Sequence, residues 1–240
     1  MTKRIAMWSG PRNISTAMMR SFENRTDCEV VDEPFYAYYL HETQSPHPMF
    51  DEVIASQPKA YNDVVLELTQ APCKTAYQYQ KLMTHHMLPN VELDWVANLT
   101  HCFLIRDPAQ IIDSYTRSRG VCSAEDIGII RQWDLYQAVS QISQQDIPVI
   151  DSNWVLRDPE HALSVLCSAI DIPFSTHMLA WPAGRRESDG VWAEHWYHNV
   201  EKSTGFGVYE SRDVVLNREQ QQVLEQVMPA YNSLCEHLLV

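Results

Sequence analysis

Residues 4–8, Arg-Ile-Ala-Met-Trp, lead without a break into Ser9-Gly10-Pro11-Arg12-Asn13-Ile14-Ser15-Thr16. A helical pattern follows over 14–24, with Ile14, Met18 and Phe22 on one stripe. A short run that is apolar on both faces fits a buried strand of a parallel sheet. A strand that passes through a polar turn into a helix is the opening unit of an α/β fold. The first turn of such a helix has unpaired amide N–H groups at the positive end of its dipole, which makes it a natural anion site. Ser15 and Thr16 add hydroxyl donors, and Arg12 adds a fixed positive charge able to fork onto phosphate or sulfate. The plain alternative is an ordinary βα loop in which Ser or Thr caps the helix. A nucleoside triphosphate loop is excluded by count, since GxxxxGK[ST] started at Gly10 would need glycine at Ser15 and lysine at Thr16. Without that lysine, phosphoryl transfer lacks its main charge at the transferred group.

The rest of the chain alternates in the same way. Strands are expected at 29–32, 74–79, 102–106 and 147–151, and helices at 108–118 and 158–170, each helix opened by Asp-Pro. A last helix is expected over 217–240, capped by Asn217 with Gln220 at its third position, and Pro229 should kink it. This pattern predicts an α/β fold in one domain over 1–240, its mainly parallel sheet covered by helices on both faces. Two segments read as loop-rich, 36–72 and 173–215. Trp181, Trp192 and Trp196 argue that the second is ordered and lies over a ligand.

Charge narrows the partners. Eighteen basic residues against 31 acidic ones give a net charge of −13, a field that repels nucleic acid and anionic membrane surfaces. A local arginine with a few backbone amides can still reverse the sign inside a pocket. The six cysteines are scattered with no CxxC pair, as expected for reduced thiols in a cytoplasmic protein. The apolar run from Ile5 to Trp8 is too short for a signal-peptide core or a membrane span. Oligomeric state is not legible in a single chain.

The loop at 9–16 resembles that of sulfotransferases that use 3′-phosphoadenosine 5′-phosphosulfate (PAPS). Arg12 falls on that family's usual loop lysine, Ser15 and Thr16 on its hydroxyl residues, and Ile14 where glycine is common. Phe103-Leu104-Ile105-Arg106-Asp107-Pro108, with Ser114 eight positions after Arg106, is similar to the family's 3′-phosphate motif. Arg106 would leave the carboxyl end of a strand, where open α/β sheets bind ligands. Weaker similarity covers 149–174 and Lys202-Ser203-Thr204-Gly205, which matches a basic, glycine-containing loop that closes over the nucleotide. The whole chain resembles the sulfotransferase-like P-loop subgroup.

The resemblance implies a fold of P-loop type and a donor, PAPS. Gly10, Pro11, Arg12, Asn13, Ile14, Ser15 and Thr16 would hold its 5′-phosphosulfate, and Arg106 and Ser114 its 3′-phosphate. Glu33 would be the base, and Lys81 would stabilise the leaving oxygen with Arg12. His85 or His86 is the competing base, with an ordinary pKa suited to proton transfer. The acceptor would be a small hydroxyl- or amine-bearing molecule, and no metal is needed. Two other readings stand beside this one: a phosphotransferase or nucleotide hydrolase on the same architecture, and a non-catalytic nucleotide-binding module.

Overall fold

The computed structural model describes residues 2–210 and 213–239. Positions 211–212 of the second loop-rich segment, and Val240 at the end of the expected last helix, lie outside the described residues. Five strands, β1 (Lys3–Ser9), β2 (Cys28–Asp32), β3 (Tyr77–Met83), β4 (Thr100–Ile105) and β5 (Val149–Asp151), form one sheet in the order β2-β3-β1-β4-β5. Every pairing is parallel. The helices are α1 (Ser15–Glu23), α2 (Tyr36–Thr43), α3 (Phe50–Ser56), α4 (Tyr61–Gln70), α5 (Pro108–Arg119) and α6 (Ala124–Ile127). They continue with α7 (Ile129–Ser143), α8 (Ser152–Arg157), α9 (Pro159–Ala169), α10 (Ala193–Trp196), α11 (His198–Glu201) and α12 (Arg218–Cys235).

β1 lies at the centre, and Ile5, Ala6, Met7 and Trp8 are all fully buried. Ile5 and Met7 face a core shared with Met18 and Phe22 of α1 and Leu163 and Leu166 of α9. Ala6 and Trp8 face the opposite core, with Ile111 of α5, Leu135 of α7 and Val227 of α12. A strand covered on both faces has no polar side to alternate with, which is why its sequence is a continuous apolar run. Each large side chain buried in this way contributes roughly 1.5–3 kcal/mol of transfer free energy.

The element ends follow local chemistry. Asp107 accepts from Ala109 N at 2.8 Å and starts α5, and Asp158 accepts from His161 N at 3.2 Å and starts α9. Asn217 and Gln220 close a reciprocal capping box on α12, with Pro229 inside the helix. That helix stops at Cys235, short of the expected 240. Beyond it, Val149 N donates to His237 O at 3.2 Å and Leu239 N to Val149 O at 2.8 Å, so residues 237–239 pair with the outer edge of β5.

Three further expectations need correction. The third strand is Tyr77–Met83, not 74–79, so Lys81 lies within it instead of following it. Its Gln78, Gln80 and Lys81 are buried, and Gln80 donates to Leu68 O at 2.7 Å and to Gln78 Oε1 at 2.9 Å. The segment 36–72 is not loop-rich but holds α2, α3 and α4, with Pro46, Pro48 and Pro58 confined to their connections. α7, for which the sequence reading assigned nothing, is a 15-residue helix.

Candidate functional site

The connections after β1, β2, β3 and β4 all emerge at the carboxyl edge of the sheet, where β1 separates crossovers that run in opposite directions. They enclose a cleft of about 490 Å³, which the 196–207 segment covers from the opposite side.

The loop from β1 forms one end. Ile14 precedes α1 without any side-chain cap, so the plain capping alternative is not what this helix has. Met18 N makes the first in-helix bond, to Ile14 O at 2.9 Å, leaving the amides of Ser15, Thr16 and Ala17 without an intrahelical acceptor beside the cleft. Arg12 adopts a left-handed backbone, φ 57°, and its Nε donates to Ser114 Oγ at 3.1 Å. Arg106 Nη1 donates to Arg12 O at 2.9 Å, and Arg106 Nε to Gln110 Oε1 at 3.1 Å. Asn13 Nδ2 donates to Leu104 O at 2.9 Å, fastening the loop to the end of β4. Among the described residues, neither Arg12 nor Arg106 has a carboxylate within ion-pair distance. Burial, and then the neighbouring Arg119 and Arg117, lower the Arg12 guanidinium's pKa; burial and then Arg12 do the same to Arg106. Both stay cationic. In a chain of net charge −13 this end of the cleft is a concentrated positive site.

The other end is charge-balanced. Lys81 Nζ lies 3.0 Å from Asp32 Oδ1 and 2.7 Å from Glu33 Oε1. It also donates to Tyr197 Oη and sits 4.8 Å from that ring's centroid. Burial alone would lower the Lys81 pKa, but Asp32 and Glu33 outweigh it and hold the ammonium well above its ordinary value. Burial raises the Asp32 carboxyl, with Lys81 opposing. Tyr197 Oη donates to Asp32 at 2.8 Å, and Gly190 N to Asp32 Oδ2 at 3.2 Å, so this cluster also fastens the covering segment to the sheet. Glu33 again has a left-handed backbone, φ 40°. Its Oε2 is 4.0 Å from His86 Nε2, leaving that oxygen free of the Lys81 contact. Tyr36 stacks on His86 at 4.5 Å, and with His85 these rings form the cleft's aromatic wall. Desolvation pushes His85 down to about 4 and His86 well below its ordinary value, so both imidazoles are neutral at pH 7.

Pro11 through Thr16, Glu33, Lys81, His85, Arg106, Ser114, Ser203 and Gly205 therefore share one cleft. Three expected residues do not line it. Gly10 packs behind the loop, where a Cβ would stand 3.2 Å from Ile127 O. Lys202 and Thr204 are exposed. Their neighbour Ser203 accepts from Trp181 Nε1 at 3.0 Å, and Gly205 bridges to Ala180, so the segment is stitched to the 180s rather than free to present its lysine. The sequence reading missed His47 and Arg119. His47 lies between two prolines, where no periodicity reports on it; Arg119 had a usable signal, the i,i+4 spacing with Tyr115 on α5.

A parallel sheet with an uncapped βα loop at its centre and paired arginines at its carboxyl edge defines an α/β domain of P-loop type, chemically suited to anions at that edge. The sequence matches the sulfotransferase domain family over residues 3–237. The chain belongs to that family, a family of transferases. Two Arabidopsis thaliana proteins named branched-chain-amino-acid aminotransferase-like protein 2 and 1 are 34% and 35% identical to it over 236 residues, 98% of this chain. The chain spans 42% of the length of each of them. Solved sulfotransferase domains share the fold. That of the curacin biosynthetic pathway has a TM-score of 0.56 and 15% identity, covering 95% of this chain and 98% of its own. That of the Synechococcus PCC 7002 olefin synthase has a TM-score of 0.57 and 14% identity, covering 95% of each. Among the described residues no cluster of three or more His, Cys, Asp or Glu is placed to hold a metal, and no helix is long and apolar enough to cross a membrane.

Proposed function

We propose that the cleft takes PAPS and transfers its sulfuryl group to a small hydroxyl- or amine-bearing acceptor. The observation that carries this reading is a pair of neighbouring guanidinium groups, Arg12 and Arg106, joined through the Arg12 carbonyl, with Ser114 on Arg12, and lacking any ion pair among the described residues. Like charges side by side without a counter-charge repel each other, so two neighbouring guanidinium groups fit a ligand with two anionic groups. PAPS carries a 3′-phosphate and a 5′-phosphosulfate. Arg12 and the amides of Ser15, Thr16 and Ala17 suit the phosphosulfate, and Arg106 with Ser114 suits the 3′-phosphate.

Glu33 takes the acceptor's proton on Oε2 as the acceptor oxygen or nitrogen attacks sulfur. The bridging S–O bond breaks, and 3′,5′-adenosine bisphosphate leaves with the bridging oxygen and the electron pair. Lys81 and Arg12 supply positive charge where that oxygen becomes anionic, in a site whose donors are already in place. His85 is a poor proton acceptor at neutral pH because burial keeps it neutral down to about 4.

Calorimetric titration tests the donor. 3′,5′-adenosine bisphosphate is expected to bind wild type more tightly than 5′-AMP, without magnesium. Arg106→Ala should erase that preference, a loss of about 1.5–3 kcal/mol or roughly 10–150-fold in Kd for a charge-assisted contact. Equal binding of the two nucleotides by wild type, or preference for ATP with magnesium, would overturn the reading.

A further inference from the structure

We infer that the acceptor carries an anionic group, a carboxylate on a hydroxy compound with a flat or apolar body, and that Arg119 is the residue that grips it. The inference rests on the donor reading above, because it begins from the cation that reading leaves over. Arg12 and Arg106 answer the two anions of PAPS, and Lys81 is matched by Asp32 and Glu33. Arg119 remains. It lies in the last turn of α5 and lines the same cleft, and among the described residues no carboxylate stands within ion-pair distance of it.

Its setting is built for an anion. The guanidinium lies 4.6 Å over the Trp196 ring, and Nη2 donates to His47 Nε2 at 3.3 Å. Arginine can only donate, so His47 Nε2 accepts, and the neutral imidazole carries its proton on Nδ1, which donates to Tyr36 Oη at 2.8 Å. Stacking uses the faces of the guanidinium, whereas its N–H donors lie in the plane. An edge is therefore left for a bidentate carboxylate. Asp126, bonded to the cleft residue Tyr115, is already engaged, accepting from Tyr115 Oη at 3.0 Å and from Ser123 N at 2.9 Å.

The placement also suits the chemistry. From Arg119 the contacts run through His47, Tyr36 and His86 to Glu33, the whole length of the aromatic wall. A carboxylate beside Glu33 would be repelled. One held at Arg119 leaves the acceptor's apolar body on Tyr36 and Trp196, and its hydroxyl at Glu33.

The test measures sulfate transfer from PAPS to para-hydroxyphenylacetate and to an aliphatic hydroxy acid, each beside its methyl ester and amide. Wild type, Arg119→Met and Arg119→Lys are compared, and 3′,5′-adenosine bisphosphate binding to each is titrated in parallel. Wild type should prefer an acid over its neutral partners by at least about tenfold in kcat/KM. Arg119→Met should lose that preference through KM, Arg119→Lys should keep part of it, and bisphosphate affinity should not change. Equal use of acid and ester, or no transfer to any acid by an enzyme that binds the bisphosphate, overturns the inference alone. So does weaker bisphosphate binding by Arg119→Met, which would put Arg119 on the donor. A wild type that fails to bind the bisphosphate removes the donor reading and this inference with it.

Discussion

The two ends of the cleft handle charge in opposite ways. At the β1 end, the guanidinium groups of Arg12 and Arg106 make hydrogen bonds among the described residues to neutral groups, Ser114, Gln110 and a backbone carbonyl. At the β2–β3 end, Lys81 is enclosed by two carboxylates and a phenol, and almost nothing of it is exposed. Matched charges hold protein to protein. On the proposed reading the first arrangement serves binding and the second positioning, even though both are built from the same residue types.

The contrast breaks most sharply at Glu33, which belongs to both roles. Glu33→Gln preserves shape and the neighbouring Asp32–Lys81 pair but has no basic oxygen. Turnover should fall by about 10²–10⁴-fold with bisphosphate affinity unchanged, as read from initial rates beside calorimetry. Undiminished turnover would take Glu33 out of the chemistry.

Stability separates the ends next. Lys81→Met strands two carboxylates in the interior and should cost about 3–5 kcal/mol in urea unfolding. Arg12→Gln removes a single hydrogen bond to a hydroxyl and should cost about 1 kcal/mol or less. Comparable losses would mean that the arginine end is also a structural ion cluster, and the distinction would fail.

The last effect follows acid. His85 is held at about 4 against an ordinary value of 6.5, and His86 is also lowered, both first by burial. Between those values the unfolded chain binds protons that the native one does not. Stability should be complete above roughly 6.5 and fall on acidification toward 4, with a slope on the order of 1.4 kcal/mol per pH unit for each such histidine. His85→Gln should flatten the melting-temperature profile in that window. An unchanged profile would show that these rings open to water before the fold yields.

Much of this molecule could be read from its residues. Ile5 to Trp8 announced the central strand because burial on both faces leaves no polar alternation. Asp107, Asp158 and Asn217 announced helix starts because caps are local chemistry. Arg12, Arg106 and Ser114, 102 residues apart at their widest, were drawn together by the resemblance of their two motifs, and the fold brings them into hydrogen-bond contact. β3 was misplaced because Gln78, Gln80 and Lys81 look like surface residues, and only their distant partners make them interior. The wall that includes His47 joins α2, the turn after β3 and the 190s. No spacing along the chain encodes that meeting.

The left-handed backbones at Arg12 and Glu33 have a consequence for this chain's history in the laboratory. Side chains in that conformation sit there at a cost of about 1–3 kcal/mol, which glycine would not incur. Selection for heat tolerance alone would therefore drift toward glycine in place of Arg12, where only a hydrogen bond to a hydroxyl is lost, but not in place of Glu33, whose carboxylate pairs with the buried Lys81. Its winners would be sturdier and, on the proposed reading, poor at holding the donor, having shed a guanidinium to relax one torsion angle.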